Sequence, residues 1–180
     1  FLRIAHILEN EKTRLKNTPS TRSGNISLVR ENKLVSEKYI ADLSATKEKL
    51  RPKVEEFIES QLSLTLIEEG LGYKSKIILP PVDITLEKPP SVLIISPRDN
   101  IEILESILLN PDLSDIDKDK IENTILKESN LSAIVSNLAG LATYPSLVSD
   151  QDTLRAILQT AAHEWIHNYL IFKPLGRNFR

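Results

Sequence analysis

Residues 150–172, DQDTLRAILQTAAHEWIHNYLIF, decide how this chain is read. At about 100° per residue, Leu154, Ile157, Leu158, Ala161, Ala162, Trp165 and Tyr169 fall on one continuous apolar stripe, which predicts an amphipathic helix from about Asp150 to Phe172. Pro174 stops it. His163 and His167 lie nearly opposite the stripe, alongside the small Ala156 and Thr160. A helix built this way is anchored by its apolar side and presents two imidazoles, with space around them, on the other.

The four-residue spacing puts both histidines on one helical face, close enough together to hold one metal ion. Glu164 follows the first histidine directly, so its carboxylate can reach a water on that metal rather than the metal itself. Zinc brings the pKa of bound water to about 7, where a neighbouring carboxylate can take the proton at neutral pH. Glu164 is therefore the candidate general base, with His163 and His167 as the candidate metal ligands.

The flanks extend the pattern. Thr160 and Ala161 precede His163-Glu164, uncharged Trp165 and Ile166 separate it from His167, and uncharged Asn168 and hydrophobic Tyr169 follow. Over these ten residues the chain resembles the zincin-type zinc metallopeptidases, whose mark is His-Glu-x-x-His. The resemblance implies a zincin-like α+β fold with a long C-terminal active-site helix, bound Zn2+, and hydrolysis of a peptide or protein substrate. It also implies that the segment before the helix, Leu141–Val148, is an edge strand that takes the substrate backbone, and Pro145 suits an edge. Tyr144 has the chemistry to stabilise an oxyanion, although packing on the strand is the simpler role.

Zincins use a third protein ligand. After His167 the chain has no further histidine, aspartate or glutamate, and Leu170 and Lys173 stand where a metzincin has glycine and histidine. The gluzincin pattern, with a glutamate on a later helix, is the compatible one, its ligand lying past Arg180. His6, the other histidine, sits in a polar N-terminal segment and is a poor candidate. The alternative reading is a non-catalytic zincin-like interaction domain without a complete metal site.

Upstream, residues 1–35 are polar, with a short helical opening and a loop at Thr18–Gly24, and are set apart from a zincin-like domain over 36–180. Apolar residues at three- and four-residue steps predict helix from Ser36 to about Glu69, with Pro52 starting a second helix or kinking a long one. Lys76–Leu79, Val82–Leu86 and Ser91–Ser96 read as short strands between proline pairs. Asp99 is the expected cap of a helix through Leu109. Ser114 with Asp117 signals another, to about Ser129. Ser132–Leu138 and Leu141–Val148 complete the strands of a small mixed or antiparallel sheet. Asp115–Asp119 has the alternating acids of a calcium loop, but Lys120 and Leu126 stand where that loop needs glycine and glutamate.

Composition narrows the partners. A net charge of -2, from 23 basic and 25 acidic residues, argues against nucleic acid. The absence of cysteine removes disulfides, thiolate metal sites and a cysteine nucleophile together. No apolar run approaches the ~20 residues of a spanning helix, so a soluble domain is expected. The start at Phe1 and the lack of any methionine suggest a piece of a longer, membrane-anchored or exported protein. Oligomeric state is not written in these residues.

Overall fold

The computed structural model describes residues 1–17, 26–73, 77–100, 102–171 and 173–174. The loop expected at Thr18–Gly24 lies outside them. Among the described residues the fold is α+β, with four helices and two three-stranded sheets: α1 (Leu2–Asn17), α2 (Ile26–Glu68), β1 (Ile84–Leu86), β2 (Ser91–Ser96), β3 (Glu105–Leu109), α3 (Asp115–Ser129), β4 (Ser132–Asn137), β5 (Gly140–Leu141), β6 (Ser146–Val148) and α4 (Leu154–Ile171). Among the described residues, no helix is long and apolar enough to cross a membrane. Packing divides the chain into two units, Phe1–Asp83 with Asp150–Leu158, and Ile84–Ser149 with Gln159–Arg180.

The first unit is helical. α2 is one helix of 43 residues, about 65 Å long at 1.5 Å per residue, and it continues through Pro52 instead of breaking there. Proline at this position withholds one N–H from the carbonyl four residues back, and the hydrogen bonds on either side carry the helix past it. The division expected at residue 35 falls inside α2 and is not marked by a break. α2 buries Ile58, Leu62 and Leu66 at four-residue steps, and α1, the expected helical opening, packs along it and buries Ala5 and Leu8. Lys47 of α2 forms an ion pair with Asp150, which is 1% exposed and also accepts a hydrogen bond from Gln151 Nε2 at 2.6 Å. Ile77–Leu79 is not a strand, although Ile78 is buried as a strand residue would be. The Pro80-Pro81 pair offers no N–H to a ladder.

In the second unit, β3-β2-β4 is an antiparallel sheet with Leu93 opposite both Ile107 and Val135. The helix expected from Asp99 to Leu109 is instead the loop and strand of this hairpin. Ile103, Leu104, Ile107 and Leu108 repeat as on a helix, but β-rich Ser91–Ser96 beside them offers a ladder, and pairing overrides local propensity. α3 begins as expected. Ser114 is extended, Asp117 N–H donates to its Oγ at 3.2 Å, and that hydroxyl donates to Asp117 Oδ2 at 2.6 Å. The helix ends at Asn130, in the left-handed region at φ 53°. From its flank Glu122 accepts a hydrogen bond from Val135 N–H of β4 at 2.8 Å, closing part of the sheet edge.

The other sheet, β1-β6-β5, carries the site. Ile84 pairs in parallel with Ser146, and Leu141 antiparallel with Leu147. Leu141–Val148 is thus two short strands of a hairpin rather than one. β6 is the middle strand, so Pro145 precedes a central strand, and the sheet edge on this side is β5. The turn between them is fixed locally. Thr143 N–H donates to the Leu141 carbonyl at 2.8 Å, and Thr143 Oγ1 donates to the Pro145 carbonyl at 2.6 Å.

Candidate active site

α4 shows three rows of side chains. Ile157, Ala161 and Trp165 are buried, with Trp165 stacked on Tyr169 at 5.0 Å between ring centroids. Of the expected apolar stripe, Leu158, Ala162 and Tyr169 are half-buried, and Leu154 in the first turn is 44% exposed. His163 and His167 form a second, solvent-exposed row. The third row, Thr160, Glu164 and Asn168, faces the β5–β6 hairpin, and both Glu164 and Asn168 are buried there. A polar row on a covered face holds only if its groups find partners. Asn168 finds two: its Nδ2 donates to the Thr143 carbonyl at 3.0 Å and to Ser146 Oγ at 3.1 Å. The side chain after His167 is therefore the clasp between the helix and the hairpin.

The histidines converge. Their Nε2 atoms are 3.1 Å apart, and the rings meet edge-on at 78°. Two imidazole nitrogens on one tetrahedral zinc at about 2.0–2.1 Å would be held roughly 3.3–3.4 Å apart. The pair thus fits a shared metal ion nearly as it stands. No group of three histidine, aspartate or glutamate side chains that could hold a metal occurs among the described residues. His6 is exposed on α1, in the other unit.

Glu164 is 8% exposed, and its carboxyl is pushed above the usual carboxylate range. Burial is the main cause, and the charges of His163 and His167 pull part of the way back. The acid thus holds its proton to higher pH than an exposed glutamate does. Its seat is made by Gly140 of β5. A Cβ built there would lie 2.7 Å from Glu164 Oε1 and 2.6 Å from Thr160 Cγ2, so the strand backbone approaches the helix closer than any side chain permits.

Of the residues singled out in the sequence, His163 and His167 come together, and Glu164 sits beside them under the hairpin. Tyr144, in the hairpin turn, is 55% exposed and does not pack as a core residue. Asn168 and Gly140 were legible only as an uncharged flank and a break between strands. The signal that could have marked Asn168 is the four-residue step Thr160–Glu164–Asn168, polar throughout on a helix otherwise read as two-sided. No protein-family model, curated protein or solved structure matches the chain, so the resemblance over Thr160–Tyr169 rests on those residues alone.

Proposed function

We propose that this chain carries the active-site helix of a zinc-dependent peptidase of zincin type, with His163 and His167 as metal ligands and Glu164 as general base. The observation that carries the reading is the 3.1 Å approach of the two Nε2 atoms on an exposed helix face, beside a buried carboxyl. A coincidental motif would also bring the rings together, since the spacing alone does that, but it has no need to bury the acid between them in sequence. Zinc bound there would supply Lewis acidity toward a peptide carbonyl and toward water.

The protein's own groups do the rest. His163 and His167 bind through Nε2. Glu164 accepts a proton from water at its carboxylate and returns it to the leaving amine nitrogen. The hairpin excludes solvent from the Glu164 side of the helix, and Asn168 holds the hairpin there. The gluzincin-like third ligand, a glutamate, is not among the described residues.

The test is peptide cleavage by this chain and by a form extended past Arg180, each with Glu164→Gln beside it. Loss of hydrolysis with zinc retained in the variant is expected; unchanged turnover would sink the assignment. A second reading, a zincin-like interaction domain without catalysis, is favoured by the two-ligand site. It predicts no hydrolysis even from the extended form.

A further inference from the structure

We propose that Gly140 is the positioning residue for Glu164, fixing the carboxylate by having no side chain. Its catalytic meaning rests on the peptidase reading above; its geometry does not. Ordinary van der Waals contact for a Cβ begins near 3.4 Å, but at position 140 it would meet Thr160 Cγ2 at 2.6 Å, Glu164 Oε1 at 2.7 Å and Glu164 Cγ at 2.9 Å. Two of these three atoms belong to the candidate base. Even alanine forces something to move.

The backbone itself does not demand glycine. Among the described residues the positive φ values are at Gly70 and Asn130, so Gly140 has a conformation that alanine also adopts. The constraint is space alone. The strand cannot easily retreat, because Leu141 is paired with Leu147, Ser149 N–H donates to the Ala139 carbonyl at 2.8 Å, and Asn168 clasps the turn. Nor can the helix, which is packed through Ile157, Ala161 and Trp165. What gives way is the facing pair of side chains, Thr160 and Glu164, each by the better part of an ångström.

Proton transfer needs the base within about 2.6–3.2 Å of its donor. A displacement of that size costs about a hundredfold in rate. Gly140 thus acts on the chemistry through Glu164 without touching the histidines.

The experiment is a double-mutant cycle on the metal-free whole chain, reading the urea midpoint of Gly140→Ala, Glu164→Ala and the pair. Gly140→Ala should lower the midpoint in the wild-type background and lower it by less beside Glu164→Ala, where both glutamate contacts are gone and the Thr160 contact remains. An equal lowering in the two backgrounds overturns the proposal. Should Gly140→Ala alone fail to fold, it is placed in a Thr160→Ser, Glu164→Ala background; recovered folding supports the steric seat, and continued unfolding overturns it. With zinc and a cleaved peptide, Gly140→Ala should lower kcat about a hundredfold at unchanged KM and zinc affinity, and an unchanged kcat overturns the proposal. Failure of the wild type to bind zinc counts against the peptidase reading only, because the urea cycle decides the placement of Glu164 without metal.

Discussion

His163 and His167 present their Nε2 atoms to each other at 3.1 Å from successive turns of α4. Two neutral imidazoles this close share at best one hydrogen bond, and an ion between them uses both lone pairs. Zinc should therefore bind at one equivalent per chain. At a hundredfold excess over its Kd it should raise stability by about 2.7 kcal/mol. His163→Ala or His167→Ala should remove both the binding and the stabilisation, as read by calorimetric titration and thermal melts.

Glu164 gives a pH signature. Its folded pKa lies above the ordinary 4.5, chiefly through burial, so the native state holds this proton more tightly than the unfolded chain does. The resulting stability is complete below 4.5 and is lost as pH rises through the raised folded value. Above that value the ionised carboxylate is a cost to the metal-free fold. Glu164→Gln should therefore be more stable than wild type at pH 7, with the gap closing as pH falls to about 4. Urea midpoints across that range measure it, and a wild type at least as stable as the variant at pH 7 would contradict the burial argument.

Asn168 donates to Ser146 Oγ, which is buried at 2% exposure, and to the carbonyl of Thr143 in the exposed turn. Asn168→Ala should cost about 0.5–1.5 kcal/mol for each hydrogen bond lost, since Ser146 Oγ still donates to the Thr143 carbonyl. Hydrogen exchange should then quicken in the β5–β6 turn more than in β2. Uniform loosening of both would place the clasp elsewhere.

The Lys47–Asp150 pair lies in the helical unit, with side chains 13% and 1% exposed. Removing one partner leaves the other charge buried, so Lys47→Met should destabilise by about 3–5 kcal/mol. Lys47→Met with Asp150→Leu should recover most of that loss. Chemical denaturation of the single and double variants reads the difference.

The sequence was legible where a local signal and the tertiary contact agree. Ser114 and Asp117 announce α3 and indeed cap it, and the branched run Ser91–Ser96 is β2 to the residue. It misled where an apolar pattern served two periods. Ile103, Leu104, Ile107 and Leu108 satisfy a helical stripe, and only the neighbouring β2 decides that Glu105–Leu109 is a strand. The histidines and Glu164 could be found because their spacing alone puts them together. Gly140 could not, since nothing near it in the chain says which helix will press against it.

The parallel pairing of β1 with β6 has a consequence for the order of assembly. Ile84 meets Ser146 only after the chain has passed through β2, β3, α3 and β4, a block whose own contacts are mostly between neighbours in sequence. Closing so long a loop is entropically slow, and local contacts form ahead of it. The β3-β2-β4 sheet with α3 can therefore condense early, while β1-β6-β5 waits for its last strand. Glu164 takes its cover from Gly140 in the local β5–β6 hairpin, which pairs without β1, so protection of its surroundings can precede the β1–β6 closure.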